Sequence, residues 1–443
     1  MKKFYFTLVT FLFLAVANAQ IVNIPDANFK AKLLAASPSN TIASTATPVY
    51  NFPNDTWTVS SYHKIDTNND GEIQVSEAQT IKFLNVNFSS ITNIAGIASF
   101  TNLIYLDCGD NQITILNEQG LTSLKALNCR FNQLSSLNVQ GLTNLQSLNC
   151  SDNQLSSLNV QALTNLHTLS CIFNQLPSLN VQGLTNLKRL NSIGNQLPSL
   201  NVQGLTNLQS LDCSYNQLPS LNVQGLTNLQ SLNCGYNQLP SLNVQGLTSL
   251  KYLHCNSNQL PSLNVQGLTN LNNLVCTSNQ LTSLNVQGLT NLIYLDCSNN
   301  QLTSLFIKNG NLQVWSPLRF YSNPNLAYIC ADEEDVALVQ TKITEYGYTN
   351  CTVDSNCNLS VDTNLYDDNY FTIYPNPVNE VLNLNTKQDT EIYSLTIYNL
   401  LGQQVQTTTN PTDTVDVSSL KAGNYIVKVV TDKGVSSSKF VKE

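Results

Sequence analysis

A period constrains this chain more than any feature of its composition. From Leu103 the sequence restates itself every 21 residues as L-x-x-L-x-C-x-x-N-Q-L-x-S-L-N-V-Q-G-L-T-N, nearly unblemished from Leu145 to Asn165. Ten copies run in register, opening at Leu103, Leu124, Leu145, Leu166, Leu187, Leu208, Leu229, Leu250, Leu271 and Leu292. A degenerate copy precedes them (Ile81, Leu84, Val86, Ile91), and another follows (Trp315, Leu318, Phe320, Asn323), shifted by two residues. Such a period signals a stacked solenoid. One repeat cannot bury its apolar face alone, so the leucines must point into a core shared with neighbouring repeats. The L-x-L/C piece predicts one short strand of a parallel sheet, with alternate side chains in and out. The asparagines from Asn111 to Asn300 suit the turn that leaves each strand. Gly141, Gly183 and their equivalents suit a reverse turn on the far side, where Ala162 shows that positive φ is not strictly demanded. Twelve strands at ~4.8 Å spacing give a curved slab roughly 55 Å long.

The motif resembles the leucine-rich-repeat consensus L-x-x-L-x-L-x-x-N-x-L, with 21-residue repeats of internalin-like architecture, over about half the chain. The resemblance implies an α/β-type curved solenoid with a parallel β-sheet on its concave face. Nine cysteines form a column at the period: Cys108, Cys129, Cys150, Cys171, Cys213, Cys234, Cys255, Cys276 and Cys297, with Ser192 in the gap. Metal binding would need converging ligand pairs, and no histidine stands at that level of the motif. Disulfides would need Cβ atoms nearer than in-register strands hold them. The remaining reading is a compact buried hydrophobe in place of the third leucine.

A partner would meet the exposed strand residues of the concave face. One column, two residues after the cysteines, holds Phe131, Phe173, Tyr215 and Tyr236; Tyr252 and His254 stand on neighbouring columns. Exposed aromatic clusters mark interfaces, although such rings can also pack along strand ends. Both readings stand at this level.

A solenoid needs capped ends. Ile24 to Phe29 opens a helix running through Leu34, which Pro25 and Asp26 suit at its start, and Ser37 to Ser61 reads as an inserted loop. Asp66-Thr67-Asn68-Asn69-Asp70-Gly71-Glu72-Ile73-Gln74-Val75-Ser76-Glu77 fits the twelve-residue EF-hand calcium loop. Asp66, Asn68 and Asp70 would offer side-chain oxygens, Glu72 its carbonyl, Gln74 a water and Glu77 two oxygens to a structural Ca2+. An exiting helix would run from Val75 towards Phe83. The alternative is an acidic cap turn without metal. Downstream, Asp332 to Asp335 followed by Val336, Val339, Ile343, Tyr346 and Gly347 predicts a closing helix. Of the flanking Cys330, Cys351 and Cys357, a disulfide between Cys330 and Cys351 is expected.

Lys2 and Lys3, an apolar run from Phe4 to Val16 and Ala17-Asn18-Ala19 read as a cleavable signal peptide. Its removal takes the formal charge from −8 to −10. That acidic balance, with no basic run, argues against nucleic acid and anionic lipid, and no later segment is long and apolar enough to span a bilayer. With three histidines and no G-x-S-x-G or H-E-x-x-H motif, an enzyme is not expected.

Beyond the polar stretch Asn358 to Asp368, seven short strand-like runs read as a small β-sandwich. Tyr374-Pro375-Asn376-Pro377-Val378, Leu401-Gly402-Gln403, Leu420 to Tyr425 and Lys439-Phe440-Val441-Lys442 resemble the type A sorting domain of type IX secretion. That resemblance implies a Bacteroidetes-type bacterium, handling by the type IX machinery, and release or anchoring at the outer cell surface. The chain thus divides into signal peptide (1–19), N-terminal cap with the EF-hand-like loop (20–80), repeats (81–326), C-terminal cap (327–357), linker (358–368) and sorting domain (369–443). The expected function is binding or adhesion to an extracellular protein or glycan, without a transmembrane anchor. The alternative is a passive envelope component with no specific ligand.

Overall fold

Each 21-residue unit lays down one strand of three residues, and the strands stack into a single long parallel sheet. A computed structural model of the chain describes residues 20–52, 56–117, 119–311, 315–357, 371–386, 391–399, 404–409, 413–431 and 434–443. The expected signal peptide, the linker 358–368 and the Leu401-Gly402-Gln403 motif lie outside the described residues. The chain forms two compact units, one ending at Cys357 and one beginning at Asn358.

The long sheet has thirteen strands. Ala43–Ser44 pairs antiparallel with Phe83–Asn85 and closes the N-terminal edge. Twelve parallel strands follow, from Phe83–Asn85 to Leu318–Arg319. Register is the repeat itself: Tyr105 opposes Ala126, which opposes Ser147. The last step pairs Leu295 with Leu318, which absorbs the two-residue shift. The middle leucine of each strand is buried, from Leu106 to Leu295, each contributing roughly 1.5–3 kcal/mol over an exposed one. A second parallel sheet joins Ser283–Asn285, Ser304–Phe306, Tyr328–Cys330 and Thr352–Asp354 on another wall of the last turns.

The asparagine after each strand satisfies backbone that the tight coil leaves unpaired. Asn174 donates from Nδ2 to the carbonyls of Cys150, Cys171 and Ile172 at 3.1–3.3 Å. Its Oδ1 accepts from Leu155 N–H at 3.0 Å. One side chain therefore ties two successive turns together, and Asn132, Asn216 and Asn300 repeat the arrangement. On the far side Gly183 takes φ +84°, whereas Gly141 and Ala162 close the same turn without a left-handed backbone.

At the N-terminus the helix Ala27–Leu34 is capped by Asp26, which accepts from Phe29 N–H at 2.9 Å. The second Asp26 oxygen accepts from Thr92 and Asn93, stapling the helix to the first repeat. Two expectations need correction here. The exiting helix is only Val75–Ala78; it stops because Phe83 and Leu84 alternate into the long sheet as its next strand. The segment Ser37–Ser61 is no mere loop. It supplies the edge strand Ala43–Ser44 and an antiparallel hairpin, Val49–Asn51 with Thr56–Thr58.

At the other end the helix Val336–Glu345 buries Val339 and Ile343. The disulfide joins Cys330 to Cys357, with Cα atoms 4.9 Å apart, and Cys351 is a half-buried free thiol. The expected Cys330–Cys351 pairing is therefore wrong, for a reason of register. Cys330 ends its strand opposite Asp354. The thiol that can fold back to it lies just past that point, at Cys357 with φ +57°; Cys351 precedes the strand.

The second unit holds two antiparallel sheets, one of Phe371–Tyr374, Val381–Thr386 and Thr414–Asp416, the other of Gln404–Thr409, Ile392–Asn399, Gly423–Thr431 and Gly434–Lys442. Leu382, Leu384, Leu395, Ile397, Val427 and Phe440 form their common core.

Candidate binding face

The open face of the long sheet is built from the first and third residues of each strand, because the middle residue points into the core. Across its N-terminal half lies the hairpin. Tyr50 stacks on Trp57 with ring centroids 4.9 Å apart, and its hydroxyl lies 3.4 Å from Thr168 Oγ1. Trp57 sits 6.3 Å from the Tyr105 ring, which stacks on Phe83 at 4.5 Å. Phe52 lies beneath the cations of Lys188 and Arg189, at 4.3 and 4.8 Å. The covering shows in burial: Ala126 is 3 % and Thr168 7 % exposed, while the equivalent Ser210 and Ser231 remain half-buried. Two clefts of about 220 Å³ each open on this face. One is lined by Thr56, Trp57, Tyr105, Asn128, Ser147 and Asn149. The other shares Asn149 and adds Ser170, Arg189, Asn191 and Asp212.

Beyond Arg189 no described residue of the hairpin covers the face. Tyr252 is 47 % exposed, and His254 Nε2 lies 3.0 Å from Asn273 Oδ1. Phe131, Phe173, Tyr215 and Tyr236 are also exposed, but the strand spans place them past the strand ends rather than on the floor of the face. All four occupy the left-handed turn position, with φ between 46° and 55°, and so line one rim. Tyr215 and Tyr236 stack at 4.1 Å. The Phe173 ring lies over Gly194, where an added Cβ would meet its Cδ1 at 2.3 Å. Among the charged groups of the face, burial pushes the Asp107 carboxyl up, against hydrogen bonds from Gly109, Asn128 and Tyr105 that lower it. Asp212 accepts from Ser214 and Asn233.

All nine column cysteines are buried free thiols, and burial raises each of their pKa values; Cys171 is pushed up to about 12. Ser192 keeps the gap closed by donating to Asp212 O at 3.4 Å.

In the acidic loop Asp66 is 5 % exposed, and its Oδ1 has no hydrogen-bond partner among the described residues. Its Oδ2 accepts from Gly71 N–H. Asn68 and Asp70 accept from the N–H groups of Asp70 and Glu72. The Glu72 side chain pairs with Lys30 at 2.6 Å, which leaves its carbonyl for other use. Glu77 accepts from Thr67 and Gln74 N–H groups, closing the loop. Among the described residues no three His, Cys, Asp or Glu side chains converge as a metal-holding group.

In the second unit two of the motifs singled out in the sequence meet. Asn376 donates to Lys439 O and accepts from Val441 N–H, and Val378 N–H donates to Val441 O at 2.8 Å.

Residues 372–443 match the family described as a secretion system C-terminal sorting domain. No curated protein matches the sequence. Among solved structures, the functional domain of InlJ from Listeria monocytogenes, described as including a cysteine ladder, is similar at 22 % identity and a TM-score of 0.50. That likeness covers 84 % of this chain and 93 % of that one. An internalin, InlF, from the same organism is similar at 25 % identity and TM-score 0.52, over 64 % and 82 %. A leucine-rich-repeat protein of Leptospira interrogans is similar at 26 % and 0.51, over 63 % and 85 %. Among the described residues no helix is long and apolar enough to cross a membrane. A sorting domain of this family directs type IX secretion, to the cell surface or beyond it. The chain therefore carries a solenoid of the leucine-rich-repeat fold followed by a secretion sorting domain.

Proposed function

We propose that this is an exported, non-catalytic binding protein that presents the long sheet's open face and its aromatic rim to an extracellular protein or glycan. One observation carries the reading. At the left-handed turn any side chain with a Cβ costs on the order of 1–2 kcal/mol, and Ser257 and Ser278 fill the same position in other repeats. The fold therefore has no need of the rings of Phe131, Phe173, Tyr215 and Tyr236, which add exposed apolar surface that a serine would not. Such surface is what interfaces use. The test is an array of extracellular proteins and glycans probed with the full chain. Serine at all four rim positions, or Tyr252→Ser with His254→Ala, should weaken capture more than tenfold while melting stays unchanged. Equal capture by these variants, or no capture by the parent chain, would leave the passive envelope role. Turnover of any captured molecule would overturn the non-catalytic part.

The acidic loop we read as a structural calcium site. The support is Asp66 Oδ1, a buried carboxylate oxygen without a partner among the described residues, since leaving such an atom unsatisfied costs about 1–3 kcal/mol. Asp66, Asn68, Asp70 and the Glu72 carbonyl would hold the ion, with Glu77 closing the loop; the ion would supply positive charge and nothing catalytic. At about ten times the dissociation constant the gain to a coupled unit is only about 1.4 kcal/mol. Calorimetry should record calcium binding that Asp66→Asn and Glu77→Ala remove. No heat at millimolar calcium would leave a metal-free acidic turn.

A further inference from the structure

The cleft beneath the hairpin offers more than space. Its indole wall comes from Trp57, backed by Tyr50 at 4.9 Å and flanked by Tyr105 at 6.3 Å and 42°. Trp57 Nε1 is buried and has no hydrogen-bond partner among the described residues. A buried donor left unpaired is costly, and tryptophan N–H groups ordinarily find an acceptor. The opposite wall and floor hold Thr56, Asn128, Ser147 and Asn149, so the described lining is uncharged. The Asn149 Oδ1 already accepts from Ser151 N–H at 3.1 Å, which leaves its Nδ2 as the donor on offer. Asn149 also lines the second cleft, so the two clefts adjoin at this side chain.

This chemistry discriminates between ligands. A peptide bound by strand addition gains its affinity from main-chain hydrogen bonds at a sheet edge, but this cleft lies on the face of the sheet, where the ladder is already complete. Recognition must therefore come from side chains. A pyranose ring offers an apolar C–H face to an aromatic wall and a rim of hydroxyls to amides and an indole N–H. An anionic sugar would find no cation in the first cleft.

We propose that the hairpin and the sheet together form a saccharide site, in which one sugar of a neutral glycan lies against Trp57 and Tyr105. Its hydroxyls bond Trp57 Nε1, Ser147 and Asn149, and the chain continues towards Ser170 and Asn191. This deepens the binding-face reading and rests on it.

The experiment is calorimetry on the full chain with cellohexaose, chitohexaose, mannohexaose and laminarihexaose, and with the hexamer of galacturonic acid as the anionic counterpart. At least one neutral hexasaccharide should bind at about millimolar concentration or below, and more tightly than the anionic one, which meets Asp212 as well as Arg189 in the second cleft. Trp57→Phe keeps an aromatic ring but removes the N–H, and should weaken binding about three- to tenfold. Trp57→Ala and Asn149→Ala should weaken it more than tenfold, and Tyr393→Ser, an exposed ring of the second unit, should leave it unchanged. Silence from all four neutral sugars overturns the proposal, as does unchanged affinity in a folded Trp57→Phe variant. If sugars fail while array capture still depends on Tyr252 and His254, the saccharide site alone falls; if both fail, the binding-face reading falls with it.

Discussion

The two halves of the long sheet share one repeat and differ in what covers them. From Tyr105 to Arg189 the face lies under the hairpin of Tyr50 and Trp57; from Ser210 to Tyr294 no described residue of the hairpin reaches it. The strands, register and asparagine bonds are the same in both. The difference teaches that the repeat builds a scaffold and that an element outside it makes the face unequal. A uniform sheet offers many equivalent places to a ligand. The hairpin singles out one of them.

The largest effect should be blind to this difference. Asn174 lies in the covered half and Asn258 in the other half, and each makes three donor contacts and one acceptor contact with buried backbone. Leucine at either position leaves those groups unpaired, which should cost roughly 3–5 kcal/mol from several losses of about 1–3 kcal/mol each, partly relieved by relaxation. Urea midpoints should fall equally for the two variants. A markedly smaller loss at Asn174 would mean that the hairpin also supports the coil, and the comparison would need redrawing.

A smaller effect should separate the halves. Burial alone would raise the Asp26 carboxyl, but hydrogen bonds from Phe29, Thr92 and Asn93 outweigh it and hold the pKa at about 2, against 3.8 for the free group. The folded value is depressed, so its stabilisation is complete above the unfolded value and is lost as pH falls through the folded one. The window is therefore pH 4 to 2. Because the carboxyl lies near solvent, screening keeps the contribution below about 1 kcal/mol. Acid should loosen the cap from which the hairpin grows. Amide exchange relative to the intrinsic rate at each pH should rise across that window more at Ala126 and Thr168 than at Ser210 and Ser231, and Asp26→Asn should flatten the rise. Equal acceleration at all four amides would show that the hairpin is not coupled to the cap.

The fold was legible where the residues repeat their contacts. Leu148 meets Leu127 and Leu169 in adjacent repeats, so position within the period already says which side chains face the core. The left-handed column was hidden. Phe131 and Tyr215 have the spacing of outward strand residues, and only the observed φ places them on the turn. The binding cleft was less legible still. Ser37 to Ser61 has no clear alternation, and its partners lie far along the chain, as with Tyr50 and Thr168, 118 residues apart.

The sequence by itself determined the coil, the register and the sorting tail, because those depend on neighbours one period away or on contiguous motifs such as Tyr374 to Val378. Tertiary structure alone decided that Cys330 pairs with Cys357, since strand register brings Asp354 beside Cys330 and only the turn beyond it delivers a thiol. It decided equally that Trp57 faces Tyr105 across the sheet. A contact between a repeat and a segment outside the repeat has no period to announce it; it exists only when the coil has stacked far enough to bring the strands beneath the hairpin.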